Sequence, residues 1–234
     1  MSGTSNERIT ESTPIKALAG LTPPIARTAK GNRRAPYRVG EWKKHLDPAK
    51  LEPCEYGYHY VTGVDVFEWL HEDLYVAEAC PDHPPIDGDH KHVTCRLRIV
   101  RPVPNWDGRT RRLFAADCAE SALLTERVCG REPDPRSWEA VSMARRYADG
   151  DATDVELQAA YTAAEAAAWG GARVVDAWGA ARVAAWAANA ATYANTLAVY
   201  DAAKATLYAR WAAYVNGDPI PPVEPLYGGE RREE

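Results

Sequence analysis

The chain has 234 residues, enough for one large or two modest domains, and its net charge of -5 argues against bulk attraction to nucleic acid. Only two Phe occur against eight Trp and twelve Tyr, so indoles, phenols and aliphatic side chains must build the core. Five cysteines at irregular spacing predict no disulfide framework and favour a reduced, cytoplasmic setting.

The first 29 residues are rich in Ser, Thr, Pro and charge and have no sustained hydrophobic period, which predicts a disordered arm. They also lack the apolar run of a secretory signal peptide. The basic segment that follows, residues 27–50, is either an anion-binding patch or a solvated loop.

Residues 30–104 are divided by Gly and Pro into short runs, a pattern that is typical of strands and turns. Strands are predicted at residues 56–61, 74–79 and 93–100, and a short helix between 63 and 71. Alternation along the last strand gives it one apolar and one basic face. The segment is therefore predicted to be a small α+β domain.

A hinge at residues 105–108 is followed by helical sequence. The first helix is predicted at residues 110–129. Asp134 as N-cap and Gly150 as C-terminal glycine bound the second helix. Thr153 and Glu156 form a capping box that opens a third.

Residues 171–216 are dominated by alanine and carry larger side chains at three- and four-residue steps, which predicts long, closely packed helices. Residues 183–200 carry no charge, but their Asn and Thr residues argue against a membrane span. Residues 109–217 are thus predicted to form an all-α bundle, and residues 218–234 a disordered tail. The fold class of the whole chain is α+β.

The first domain resembles an uncharacterised domain family of bacteriophage and actinobacterial proteins. The residues that carry the resemblance are Tyr37, Val39, Gly40, Pro53, Cys54, Glu55, Gly57, Tyr58, His59, the run 74–76 and residues 96–100. The resemblance implies a domain boundary and a phage or actinobacterial origin. It implies no chemistry.

Residues 112–120, 133–136 and 144–150 resemble a helical immunity-protein family whose genes lie beside toxin-like genes in actinobacteria. This resemblance implies a non-enzymatic protein-binding role, with a toxin or a phage or host protein as partner. We expect the aromatic and alanine face of the long helices to be the docking surface. Its predicted residues are Trp178, Trp186, Tyr193, Tyr200 and Trp211.

Two cysteine and histidine pairs lie close together in the first domain. Cys80 with His83, and His92 with Cys95, offer the four nitrogen and sulfur donors of a tetrahedral zinc site. The loop between the pairs is shorter than in familiar zinc modules. The alternative is a polar hairpin in which the cysteines act as small apolar residues.

His59 lies in an aromatic run on a predicted strand. An enzymatic alternative makes it the centre of an ADP-ribosyltransferase-like or nucleotide-binding module, with Glu78 as a candidate catalytic carboxylate. No other residue completes such a site, and a structural histidine explains the pattern too. On the first predicted helix, Asp117 and Glu120 share a face. Interhelical salt bridges are predicted for them, and the available arginines are Arg111, Arg112, Arg145 and Arg146.

Overall fold

The computed structural model describes residues 8–18, 37–70, 73–128, 130, 132–167 and 197–226. Over these residues the protein is α+β, as the sequence predicts, and it divides into two compact units. The first unit ends at Trp106 and the second begins at Asp107. This division falls inside the segment 105–108, where the sequence indicates a hinge.

The described part of the first unit forms two three-stranded antiparallel sheets. Its strands are β1 (Ile15–Leu18), β2 (Tyr58–Tyr60), β3 (Asp73–Ala79), β4 (Ile86–Gly88), β5 (Lys91–Thr94) and β6 (Leu97–Pro102). One sheet has the order β1-β3-β6 and the other β2-β5-β4. Short 3₁₀ helices occupy Pro48–Lys50 and Gly63–Glu68, and the second of these is the short helix predicted from sequence.

The single strand predicted at residues 93–100 is wrong in one respect, because the chain changes sheet inside it. β5 pairs with β2, whereas β6 pairs with β3. The apolar face is as predicted, since Val93, Cys95 and Leu97 are all fully buried. Alternation indicates which face of a strand is buried but not which neighbour it pairs with.

Part of the predicted disordered arm is ordered. Residues 8–18 include the buried Ile9 and Ile15, and β1 pairs with β3 so that Ile15 lies opposite Val76. Ile15 and Val61 also exchange backbone hydrogen bonds of 2.8 and 2.9 Å. The average composition of residues 1–29 predicts disorder because it gives little weight to these two isoleucines. Their burial anchors the arm to the core.

Gly57 holds a backbone conformation that only glycine adopts easily, with φ of +142°. A Cβ there would overlap Val93 Cγ1 on β5. We expect Gly57→Ala to destabilise the first unit by about 2 to 3 kcal/mol through strain and overlap. Hydrogen exchange of peptides that cover β2 and β5 should show the lost protection.

Gly40 provides the matched control, because its φ is +80° and a Cβ there would meet nothing within 4 Å. Gly40→Ala should therefore cost only the backbone strain, about 1 kcal/mol. Equal losses of protection in the two variants would show that the overlap with Val93 has no effect.

The described part of the second unit is built from helices. They are α1 (Gly108–Val128), α2 (Pro135–Asp149), α3 (Asp154–Ala167) and α4 (Leu197–Asn216). α1 packs on α2 through Ala116, Val141 and Ala144. Within the residues described, no helix combines the length and apolar character needed to cross a bilayer.

The predicted ends of α2 and the start of α3 are confirmed. Asp134 Oδ1 accepts the Arg136 N–H at 2.8 Å, and Gly150 ends α2 with φ of +86°. Thr153 and Glu156 satisfy each other's backbone N–H groups at 2.8 and 3.3 Å. α1 begins two residues before the predicted start, because Asp107 accepts the Thr110 N–H at 2.8 Å. The hydrogen bond from the Thr110 N–H lowers the pKa of the Asp107 carboxylate.

The first part of the predicted disordered tail is also ordered. Residues 218–226 follow α4, and Leu226 is buried, with its N–H donated to Thr125 Oγ1 at 2.9 Å. A buried hydroxyl and a buried leucine therefore fix this end of the chain. The alanine-rich sequence at 168–196 and residues 227–234 lie outside the described residues.

Candidate metal centre and neighbouring sites

Cys80, Cys95 and His45 converge at one edge of the first unit. Cys80 follows β3 and Cys95 precedes β6, and these antiparallel strands place Ala79 opposite Leu97, so the two thiols meet. His45 arrives from a segment that runs beside β6. The N–H groups of Lys43 and Leu46 fix that segment by donating to the carbonyls of Leu97 and Cys95, both at 2.9 Å.

The three donor atoms lie close to the spacing that a bound metal would require. His45 Nε2 lies 3.7 Å from Cys95 Sγ and 4.0 Å from Cys80 Sγ, and all three atoms fall within 4.8 Å of one another. Zn–S bonds of about 2.3 Å and Zn–N bonds of about 2.0 Å place tetrahedral donors roughly 3.5 to 3.8 Å apart. The thiols are buried and the imidazole is exposed, so an ion could enter from the histidine side.

The chemistry of the two thiols also suits a cation. Burial and the neighbouring Cys80 raise the pKa of the Cys95 thiol to about 11. Without a cation, Cys95 therefore stays protonated at neutral pH. A bound divalent cation reverses this preference, because it holds its cysteine ligands as thiolates and releases their protons.

The structure brings together only part of the predicted ligand set. His83 lies beside His45 with its ring edge-on and the ring centroids 5.8 Å apart, so it is next to the cluster. His92 is not, and its prediction as a ligand is wrong. Its Nδ1 pairs with Asp87 at 2.8 Å and its Nε2 with Thr62 at 3.1 Å. His92 lies inside β5 and Cys95 just beyond its end, so their three-residue spacing does not bring the two side chains together.

His45 is the candidate ligand that sequence reasoning missed. It precedes Cys80 by 35 residues and lies in the basic segment, far from the paired spacing that indicates zinc ligands. Its nearest sequence neighbours, Lys44 and Leu46, give no sign of a ligand. Only the backbone pairing with β6 brings it to the thiols.

His59 lines a pocket of about 160 Å³ between the edges of β1, β2 and β5. The pocket residues are Ile15, Lys16, Cys54, His59, Tyr60, Val61, Trp69 and Lys91. Glu78 does not line it and is held by an ion pair with Arg98 across β3 and β6. The structure therefore does not bring the two candidate catalytic residues into one site.

Cation–π contacts occur within the described part of the basic segment and between it and the strand region of β6. The guanidinium groups of Arg96 and Arg98 each lie 4.9 Å from the Trp42 ring, and Lys43 lies 4.5 Å from the Tyr37 ring. Cation–π contacts of this kind hold the segment against β6. They explain why residues 37–46 are ordered although they are rich in charge.

The predicted docking surface needs one correction. Trp211 is fully buried, with the Tyr208 ring 5.5 Å away, and so belongs to the core of the second unit. An aromatic stripe on a helix has the same period whether it faces a core or a partner. The predicted positions Trp178, Trp186 and Tyr193 lie outside the described residues, and so does the side chain of Tyr200.

The polar centre of the second unit is Asp117 on α1. Its carboxylate accepts from Arg145 at 2.7 Å, from Arg210 at 2.9 Å and from the Tyr214 hydroxyl at 2.8 Å. The predicted salt bridge from α2 is confirmed, since Arg145 binds Asp117 and Glu120 together. Burial and the Asp117 charge raise the pKa of Tyr214, which stays a neutral donor.

The neighbouring Cys118 is not a nucleophile. It is fully buried, and burial raises the pKa of its thiol well above the usual value. Cys129 lies outside the described residues.

No protein-family model, curated protein or solved structure matches this chain. The two family resemblances seen in the sequence therefore stay predictions. Any function has to be argued from the side chains themselves.

Proposed function

We propose that the first unit is a zinc-binding module in which Cys80, Cys95 and His45 hold the ion and His83 completes the tetrahedron. The observation that supports this most directly is that two buried thiols share one imidazole nitrogen at 3.7 and 4.0 Å. Thiolate and imidazole are the ligands that zinc prefers in closed, structural sites. His83 reaches the ion by turning its ring from its edge-on position beside His45.

The role of the ion is structural. It would clamp the end of β3, the crossing from β5 to β6 and the segment 43–46, three parts of the chain that are distant in sequence. Closing long loops with one ion removes conformational freedom from the unfolded chain. Four protein ligands leave no open position for a substrate, so the site stabilises and does not catalyse.

For the whole chain, we propose a non-enzymatic protein-binding role as an accessory protein of phage or actinobacterial origin. Its support is the resemblance of residues 112–120 and 144–150 to the immunity-protein family, together with the alanine-rich segment that would extend the helices into a bundle. The four free thiols among the described residues suit a reducing compartment such as the cytoplasm. Co-purification with the product of a neighbouring toxin-like gene would test this role.

The zinc site is tested by metal analysis of protein purified without chelators. We expect about one zinc per chain in the unaltered protein, by elemental analysis. His45→Ala should lower zinc affinity by at least about 100-fold, since loss of even an outer-shell partner costs 10 to 100-fold. His92→Ala is the matched control and should keep its zinc, because its ring is held by Asp87 and Thr62.

Two results would contradict the zinc module. One is unaltered protein that carries no zinc and takes up none when the ion is added in equimolar amount. The other is a Cys80–Cys95 disulfide, seen by mass spectrometry of freshly isolated protein. Zinc lost by His92→Ala and kept by His45→Ala would instead restore the ligand set predicted from sequence.

A further inference from the structure

A cysteine and a buried lysine face each other in the pocket beside β2 and β5. Lys91 is only 8% exposed, and its Nζ donates to Cys54 Sγ at 2.9 Å. Cys54 itself is exposed and holds a left-handed backbone conformation, with φ of +66°. Both residues line the pocket, so the sulfur is open to a small molecule while its lysine partner is shielded.

The lysine needs a negative charge, because an ammonium group removed from water is costly unless it is paired. Among the residues that the structure describes, no carboxylate forms an ion pair with Lys91. Its other contact is the Trp69 ring, 5.0 Å from Nζ. Among the described residues, the group beside the ammonium that can carry a negative charge is the Cys54 sulfur.

His59 positions this sulfur. Its Nε2 accepts the Cys54 N–H at 3.1 Å. That hydrogen bond holds Cys54 in a conformation that non-glycine residues rarely adopt. The structure thus gives His59 a positioning role beside a thiol, in place of the catalytic role that the sequence suggested as an alternative.

The pocket has room for a small group beside the sulfur. Its volume of about 160 Å³ is close to that of a protein cavity that accepts a benzene ring. Trp69 and Tyr60 supply aromatic walls, and Lys16 adds a second cation to the lining. A small aromatic or branched group with a negative charge fits this lining better than a cationic one.

We infer that Cys54 is a nucleophile for thiol–disulfide exchange with small disulfides that carry carboxylates. The Cys54 thiolate attacks one sulfur of the disulfide, and a mixed disulfide forms as the original S–S bond breaks. The other half leaves as a thiolate and takes a proton from water. Cys54 is oxidised and the departing half is reduced, so the two electrons balance.

The preference for a disulfide that carries a carboxylate follows from the positive charge of Lys91. Once Cys54 is in a mixed disulfide its sulfur is neutral, and the buried ammonium has lost its counter-charge. A carboxylate on the attached half restores a negative charge beside Lys91. A cationic half would instead place two positive charges in one small pocket.

The first test measures the rate of reaction with dithiobis(nitrobenzoate), an aromatic disulfide with two carboxylates. The protein is used with zinc bound and with the substitution Cys129→Ser. Peptide mapping by mass spectrometry then identifies which cysteine has reacted. We expect Cys54 to react about tenfold faster than in Lys91→Met, because the buried ammonium beside the sulfur attracts the carboxylates of the reagent. Lys91→Arg keeps the charge and should keep most of the rate, whereas Lys16→Met should change it less than Lys91→Met does.

A second test needs no change at Lys91 and so does not depend on that variant folding. The rate constant of Cys54 is measured with the dicarboxylate disulfide and with cystamine, a dicationic disulfide. Each rate constant is divided by that of free cysteine with the same reagent, and the ratio of the two normalised values is taken. We expect the normalised ratio to favour the dicarboxylate by about tenfold, as one buried opposite charge would give. A ratio of one or below, or an unchanged Cys54 rate in folded Lys91→Met, overturns the inference.

Discussion

Replacing Asp117 with alanine is expected to destabilise the second unit by about 3 to 5 kcal/mol, a large part of the stability of an ordinary domain. Asp117 is 4% exposed, and its two carboxylate oxygens accept hydrogen bonds from residues of both α2 and α4. Few single side chains in the described part of the protein join so many elements.

The cost arises from the groups that the substitution leaves behind. Arg210 is 4% exposed and would keep only its hydrogen bond to the Pro222 carbonyl, so its charge would be buried without a carboxylate. The Tyr214 hydroxyl would lose its acceptor as well. A charge buried without its partner is far more destabilising than the loss of the same pair at the surface.

Urea unfolding followed by circular dichroism of the helices measures this loss. Asp149→Ala is the control, because it breaks the Arg109–Asp149 pair, whose side chains are 59% and 43% exposed, and should cost less than about 1 kcal/mol. Asp117→Leu combined with Arg210→Met removes both buried charges and should recover part of the stability. If Asp117→Ala cost no more than Asp149→Ala, the network would not be buried in solution.

The parts of this structure that the sequence predicts correctly are those that depend on near neighbours. Asp134, Gly150 and the pair Thr153 and Glu156 act through backbone groups two to four residues away, so their types and spacing are sufficient. Asp117 shows the limit of prediction from near neighbours in sequence. Its partnership with Arg145 was predicted from shared helix faces, but Arg210 and Tyr214 lie 93 and 97 residues further on and carry no local signal.

The metal centre shows the same limit. Cys80 and His83 are three residues apart on one turn, so their proximity is visible in the sequence. His45 carries no sequence signal because its place depends on a backbone register with β6, whereas the sequence indicates His92 only through its three-residue spacing from Cys95. Two ligands three residues apart can lie together on a turn, but the same spacing separates them on a strand. The sequence does not show which of the two structures residues 92–95 adopt.

Replacing Trp211 with alanine is expected to destabilise the second unit by about 3 to 5 kcal/mol, the range for large aromatic side chains removed from a core. Trp211 has no exposed surface, and Leu207 and Val215, one turn away on each side of it, are also buried. The aromatic stripe predicted from the sequence is therefore real in this part of α4, but it faces inward.

Val155 on α3 is the matched control for this substitution. Its side chain is large and apolar but 78% exposed, so Val155→Ala should change the free energy of unfolding by less than about 0.5 kcal/mol. Denaturant unfolding of the two variants separates a core residue from a docking residue, because a docking residue can be removed from the unbound protein at little cost. A loss below about 1 kcal/mol for Trp211→Ala would mean that its ring is not buried in the free protein, and would return it to the predicted docking surface.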